Sequence, residues 1–309
     1  MNGVSLYSNT LPNQNFRFRI RAGKYIGMLI RFAGNNAAAH TMTNDDCGIV
    51  IITKGGEQKY NFDFAALQTS YNTIEMGSIE SFSTSGAGFA QSCFVPFVEA
   101  FDDVCLDIQN NNDWEVVLTA PNLTASLIAD GTVEFIGVQA DDVAVSPYEL
   151  QFVNHHLSPG AAGTFIEPVY NENPDVIYIE YDSHLTHLAV TKDGKPFVDY
   201  MSVQILNTLT CLFGKVETFP GNYAWLKVDL NPTRDEAGSS SNDVKLQYTV
   251  DAATTIKVLV KSRFMTPNRL SRSIISTNNA LELKAVAKQN AGFSIIASRL
   301  RGGKIEKFS

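Results

Sequence analysis

The sequence predicts an all-β protein made of two tandem antiparallel jelly-roll β-sandwiches with short helices and a basic C-terminal tail. Three observations carry this reading. Short apolar or alternating segments recur between Gly, Asn and Asp turns, without the strand–helix alternation of a parallel sheet. One unit occurs twice, at 49–67 and 187–205. The chain of 309 residues is long enough for two domains that each bury a core. Eight strands in two sheets fit each half, so we expect a first jelly roll with an N-terminal arm over 1–145. A second jelly roll follows over 146–264, and a basic extension over 265–309.

The repeated unit is the most specific signal. A shift of 138 positions places Thr53-Lys54-Gly55-Gly56 on Thr191-Lys192-Asp193-Gly194, Phe62 on Tyr200 and Leu67 on Ile205. Each copy reads as an apolar strand, a two-residue turn favoured in hairpins, a return strand and a short helix. In the second copy Asp199 is placed to cap that helix, with Tyr200, Val203 and Leu206 on one face.

The other elements follow in chain order. Residues 16–21 alternate Phe-Arg-Phe-Arg-Ile-Arg, which sends Phe16, Phe18 and Ile20 to a buried face and Arg17, Arg19 and Arg21 to the other. Residues 25–32 are nearly all apolar, as in a central strand, and 34–46 read as a loop. The Ser-, Thr- and Gly-rich stretch 70–91 reads as loops with at most one short strand. Strands are expected at 93–98, 104–108 and 114–118, and at 126–129 and 133–138 joined across Asp130-Gly131. Asp141-Asp142, followed by Pro147, marks the expected boundary. In the second half, strands are expected at 176–181, 226–230 and 244–250, and 256–260 closes the domain as 133–138 closes the first. The segment 231–243 reads as an exposed loop. Residues 280–289 read as an amphipathic helix and 292–300 as one more strand.

Composition excludes several classes. Hydrophobic residues make up 44% of the chain, too many for disorder, yet no apolar run approaches the ~20 residues of a membrane span. The opening Met-Asn-Gly-Val-Ser-Leu-Tyr-Ser has no secretory h-region, and Cys47, Cys93, Cys105 and Cys211 are widely spaced. We therefore expect free buried thiols and synthesis in a reducing cytoplasm. His184 and His187, near Glu180, fall on opposite faces of a strand, and His155-His156 reads as a polar junction element. The pairs Asp45-Asp46, Asp102-Asp103 and Asp141-Asp142 read as solvated loop charge rather than calcium ligands. No phosphate loop, nucleophile elbow or nucleophile–base pair is present. We expect no catalytic residues, metal or cofactor, and no small-molecule substrate. Net charge is −8, but residues 1–44 carry +5 and 265–309 carry +6, which leaves −19 between them.

Two tandem jelly rolls with basic ends resemble the double-barrel major capsid proteins of tailless, membrane-containing icosahedral viruses, the adenovirus hexon lineage. They resemble in particular the compact coat proteins of lipid-containing bacteriophages such as the Flavobacterium lipid-containing phage. Leu6-Tyr7-Ser8-Asn9-Thr10-Leu11-Pro12-Asn13, leading into the basic strand, resembles their N-terminal arm, and the repeated unit resembles the helix-bearing elaboration of each barrel. The resemblance covers roughly residues 5–264. It implies a virion location and homotrimeric, pseudo-hexagonal capsomers that meet neighbouring trimers and vertex or minor capsid proteins around an internal membrane. It further implies that Arg17, Arg19, Arg21, Arg299, Arg301, Lys304 and Lys307 face anionic lipid, each contributing ~1 kcal/mol near such a surface. Nucleic acid is the other anionic partner. Two alternatives stay open. One is a carbohydrate- or receptor-binding spike, with Tyr71, Phe82, Tyr223 and Trp225 as exposed aromatics. The other is a two-jelly-roll amidase with a cleft carboxylate from Asp141, Asp142 or Glu167.

Overall fold

The computed structural model describes residues 2–37, 40–76, 81–83, 88–99, 104–110, 113–140, 143–146, 148–169, 174–180, 182–205, 225–230 and 243–265. In the first half the strands are β1 (Asn2–Leu11), β2 (Asn15–Arg19), β3 (Gly23–Asn36), β4 (Ile49–Lys54), β5 (Glu57–Asp63), β6 (Ser81–Ser83), β7 (Gly88–Pro96), β8 (Val104–Ile108), β9 (Trp114–Thr119), β10 (Ile128–Gln139) and β11 (Ala144–Val145). The second half contributes β12 (Tyr148–Asn154), β13 (Gly163–Pro168), β14 (Pro174–Glu180), β15 (Leu185–Lys192), β16 (Lys195–Ser202), β17 (Trp225–Asp229), β18 (Val244–Val250) and β19 (Val258–Met265). Helix α1 (Phe64–Leu67) runs through a π-turn (Gln68–Asn72) into α2 (Thr73–Met76).

Both halves are jelly rolls with one strand order. In the first, β1-β10-β3-β7 faces β2-β9-β4-β5; in the second, β12-β19-β14-β17 faces β13-β18-β15-β16. Numbered within each barrel, the sheets are 1-8-3-6 and 2-7-4-5 in both cases, and β6, β8 and β11 decorate the first. The repeated unit is the hairpin of the fourth and fifth strands in each barrel. Gly55 and Gly56 (φ 58° and 85°) and Asp193 and Gly194 (φ 51° and 71°) form the two turns, whose positive φ values match the right-handed twist of a hairpin. Pairing is antiparallel throughout except at β8–β11 and β5–β12, which are parallel. The second exception joins the barrels, because it fuses β2-β9-β4-β5 to β12-β19-β14-β17 in one eight-stranded sheet.

The first core is aromatic. Phe16, Phe32, Phe62, Phe64 and Phe135 are buried, with Phe16 edge-on to Phe32 at 6.4 Å and Phe32 edge-on to Phe64 at 5.6 Å. The second core is mainly aliphatic: Ile177, Ile179, Leu188, Val190, Leu246, Val258 and Val260, with Tyr248 stacked on Phe165.

Several expectations are corrected. Residues 2–11 are not an arm but the first strand of the barrel, paired along β10 with a bulge between Ser5 and Tyr7. Residues 126–129 and 133–138 do not form a hairpin across Asp130-Gly131, because β10 runs on from Ile128 to Gln139 beside β3. The glycine signal there marks close approach: a Cβ on Gly34 would lie 2.2 Å from the Asp130 carbonyl oxygen. The stretch 70–91 holds the rest of the helical run and the start of β7, and β3 extends to Asn36. Strand β16 continues to Ser202, so Asp199 caps nothing and the helical turn begins only at 203. The reason is a bulge: β15 and β16 pair Val190 with Val198 but Leu188 with Met201, so Met201, not Tyr200, is the counterpart of Phe62. Strands β12 and β13 were not foreseen. The expectations for 231–242 and 266–309, the tail included, lie outside the described residues.

Candidate assembly surfaces

Among the described residues, strand β2 forms one edge of the eight-stranded sheet and pairs only with β9. Its alternation places side chains as expected. Phe16 and Ile20 are buried, Phe18 stacks on Tyr7 at 5.0 Å, and Arg17, Arg19 and Arg21 are exposed. The arginines do not form a bare cationic row. Glu115 of β9 stands opposite Arg19, and Arg17 donates to both of its carboxylate oxygens at 2.9 Å from Nε and Nη2. That hydrogen bonding holds the Glu115 carboxyl below its ordinary range. One internal carboxylate therefore answers part of the charge. Arg299, Arg301, Lys304 and Lys307 lie outside the described residues.

The joint between the barrels is the most heavily built surface. The outer face of β12-β19-β14 presents Leu150, Phe152, Val176, Tyr178 and Leu259, all buried in the same cluster as the first barrel's core. Strand β14 is therefore buried on both faces, with Ile177 and Ile179 turned into the second core. The helical run after β5 closes over this face. Tyr71 packs edge-on to Phe152 at 5.1 Å, Trp225 Nε1 donates to Thr69 Oγ1 at 3.1 Å, and Tyr178 donates to Glu75 at 3.0 Å. Lys227 also pairs with Glu75.

A four-charge cluster sits in the joint. Lys261 and Glu99 are 2.8 Å apart, and Arg263 lies 3.1 Å from Glu99 and 3.2 Å from Asp175. Two cations face two carboxylates, so the burial of Lys261, 4% exposed, leaves no net charge unpaired. Two further ion pairs and a hydrogen bond cross the joint: Lys54 to Glu149 at 2.7 Å, Lys257 to Asp45 at 2.9 Å, and His156 to Asp63 at 2.8 Å. Burial lowers the Lys257 ammonium, but the Asp45 hydrogen bond and charge outweigh it, and the net shift is upward. No sequence signal marks the four-charge cluster, whose residues come from segments far apart in the chain.

The residues behind the alternative readings are occupied otherwise. Tyr71 and Trp225 are buried at the joint and so are not an exposed aromatic patch. Glu167 accepts from Tyr248 inside the second barrel rather than lining a cleft between barrels. Phe82 has no described side chain; Tyr223, Asp141 and Asp142 lie outside the described residues. His184 bonds Asp251 at 2.8 Å, while His187 stacks on Tyr200 at 5.2 Å. Asp46 accepts from the Thr43 backbone and from Asn122. Cys47, Cys93 and Cys105 are buried outside any disulfide, and burial pushes the Cys47 and Cys93 thiols well up. Among the described residues no group of three or more His, Cys, Asp or Glu side chains is arranged to hold a metal ion.

No protein-family model matches the chain, and no curated protein matches it by sequence. Solved structures do match. The major capsid protein of bacteriophage PM2 aligns with a TM-score of 0.56 at 11% identity, over 84% of this chain and 98% of that one. The Sulfolobus turreted icosahedral virus structure aligns at 0.60 and 11% identity, over 92% and 98%. The capsid of the virus PBCV-1 aligns at 0.56 and 10%, over 85% and 92%. The chain has the double jelly-roll fold of viral major capsid proteins. Each match covers both barrels of this double jelly roll, so the likeness lies in the tandem arrangement and not in a single sandwich.

Proposed function

We propose that this chain is the major capsid protein of an icosahedral virus. Its functional unit in this reading is a homotrimer whose six barrels give a pseudo-hexagonal capsomer, located in the virion. The observation that supports it most is the fused eight-stranded sheet with its buried joint, which makes the two barrels one rigid building block. A shell subunit needs this property, since it must carry load between neighbouring capsomers and the vertex or minor proteins among them. Negative-stain imaging and particle sizing of the purified protein test the proposal. A three-fold block with a six-sided outline is expected, and a monodisperse monomer at all concentrations overturns it.

The finer part of the proposal concerns the membrane. Arg19 and Arg21, with Arg299, Arg301, Lys304 and Lys307, supply the cationic surface for anionic headgroups, and Arg17 is largely committed to Glu115. Arg17→Glu is a poor probe, since it would place two carboxylates together. Arg19 stands opposite the same carboxylate, so the neutral pair Arg19→Gln with Arg21→Gln is the better variant. It should keep the trimer and lose flotation with phosphatidylserine vesicles, and parent binding should weaken as salt rises. Unchanged flotation overturns the membrane role; retention on nucleic acid instead assigns the same charges to the genome.

A further inference from the structure

The outward faces of two corresponding sheets carry different chemistry. On β2-β9-β4-β5 that face holds the charged groups Arg17, Glu115 and Asp63. On β13-β18-β15-β16, period-two alternation and the pairing register turn a different set outward. Thr164, Thr249 and His187 form one row across the sheet, and Ile166 and Gln247 form the next. Tyr200 of β16 completes the first row, its ring stacked on His187 and its hydroxyl bonded to Thr249. The rows are two residues apart along each strand, ~6.6 Å, about the span of one sugar ring.

The first row has hydrogen-bonding capacity left over. Thr249 Oγ1 lies 2.7 Å from Thr164 Oγ1 and 2.5 Å from Tyr200 Oη. Three hydroxyls share two contacts, so at least one O–H proton is not used within the row. Thr186 Oγ1 donates to the Thr249 carbonyl at 3.1 Å, so it accepts from His187 Nδ1 at 3.2 Å. That fixes the imidazole proton on Nδ1 and presents Nε2 as an acceptor. One side of the Tyr200 ring lies on His187, with 13° between the planes, yet the residue is 45% exposed. Ile166, 64% exposed, adds an apolar contact in the second row.

We infer that this face binds a neutral hexopyranose of a glycan. A sugar ring offers an apolar C–H face and a rim of hydroxyls, each both donor and acceptor. The negative face of an aromatic ring attracts such C–H groups, and Tyr200 supplies that ring. The spare hydroxyl proton, His187 Nε2 and the Gln247 amide match the rim, so an exposed aromatic surface stands beside a few placed polar groups. Charge decides between neutral and anionic sugars. Asp199 is exposed beside Tyr200 and repels a carboxylate or sulfate, and Lys245, farther along β18, pairs with Asp243 at 3.1 Å. The site needs one barrel and no second copy, so it does not rest on the capsid reading.

Saturation-transfer NMR on the full chain tests this with the methyl glycosides of glucose, galactose, mannose and N-acetylglucosamine, and with sialyllactose as the anionic control. At least one neutral glycoside should receive saturation on its ring protons. Tyr200→Ala should weaken that binding by about tenfold. Thr249→Val removes the central hydroxyl, and His187→Phe keeps a ring against Tyr200 while removing the acceptor; each should weaken binding about three- to tenfold. Transfer to none of the neutral glycosides, transfer to sialyllactose alone, or equal binding by the parent and Tyr200→Ala overturns the site. Should Tyr200→Ala melt below the parent, Tyr200→Phe combined with His187→Phe decides, since both rings stay and only polar atoms go. Parent-like binding by that variant overturns the proposal. Particle sizing scores the capsid reading separately, so either can fail alone.

Discussion

The two barrels share a strand order but differ in what surrounds it. In the first, the hairpin of β4 and β5 leads into a helical run buried from Phe64 to Asn72 except at Thr69; in the second, the hairpin of β15 and β16 leads into a turn that is buried only at Val203. The repeated lysines show the same contrast. Lys54 reaches across the joint to Glu149, whereas Lys192 donates to the Leu230 carbonyl of its own barrel at 3.0 Å. The sheets invert the pattern, since the outer face of β19 and β14 is closed and that of β10 and β3 is open. The two halves thus share the scaffold, and each presents the surface that its place in the chain requires. The cores diverged as well, one packing phenylalanine rings and the other branched aliphatic side chains.

The largest expected effect probes the closed sheet. Lys261→Met removes one cation from a neutral buried cluster and leaves a carboxylate uncompensated, which should cost about 3–5 kcal/mol in urea unfolding. A loss below about 1 kcal/mol would mean that water reaches the cluster and that the two outer faces are less different than they look. Next comes the equivalence of the hairpins. Gly56→Ala and Gly194→Ala both force a left-handed conformation on a residue with nothing within 4 Å of its new Cβ, so backbone strain is the whole effect. Each should cost about 1–2 kcal/mol, and unequal costs would break the equivalence. Gly55→Asp, which copies Asp193, should be nearly neutral by the same measurement.

A smaller effect sharpens the comparison from the open sheet. Arg31→Met removes an ion pair in which both side chains are more than a third exposed, and should change stability of the isolated chain by under about 1 kcal/mol. The contrast with Lys261→Met is the point of the experiment, because the two cations occupy corresponding outer faces. The smallest effect belongs to the edge strand. Arg17→Gln should leave the melting temperature unchanged at neutral pH while the Glu115 carboxyl returns upward toward its ordinary value, as followed by NMR titration. The sign follows from the lowered folded-state value. The pair's contribution is present above the ordinary carboxylate pKa and fades as pH falls through the lowered one.

Local patterning was legible wherever one face of a strand meets water. Val244, Leu246, Tyr248 and Val250 turn inward on β18, and Phe16 and Ile20 do so near β2, as period-two alternation requires. The two hairpin turns were legible too, because positive φ at adjacent positions restricts the residue types to Gly, Asn and Asp. Strand β12 was missed because its central residues are buried on both faces, which erases alternation, and Pro147 and the two histidines mimic a linker. Strand β1 was read as an arm because only Leu6 and Leu11 along it are buried, too few to show a period. The glycines at 34 and 131 carried a true signal of unusual backbone, but a turn and a close strand crossing look alike in sequence.

By itself, then, the sequence determined the all-β class, the duplicated hairpin and the alternating strands, since each depends on neighbours within a few residues. The tertiary structure alone decided how the halves meet. The parallel seam of β5 and β12, the burial of Tyr71 and Trp225, the bulge that hands the place of Phe62 to Met201, and the charge balance of Lys261, Arg263, Glu99 and Asp175 all depend on residues far apart in the chain. Even Arg17, the plainest exposed charge in the sequence, has its partner 98 positions away. Desolvation of one face is written locally, whereas which surface supplies that desolvation, and which charges must accompany it, is set only when distant segments come into contact.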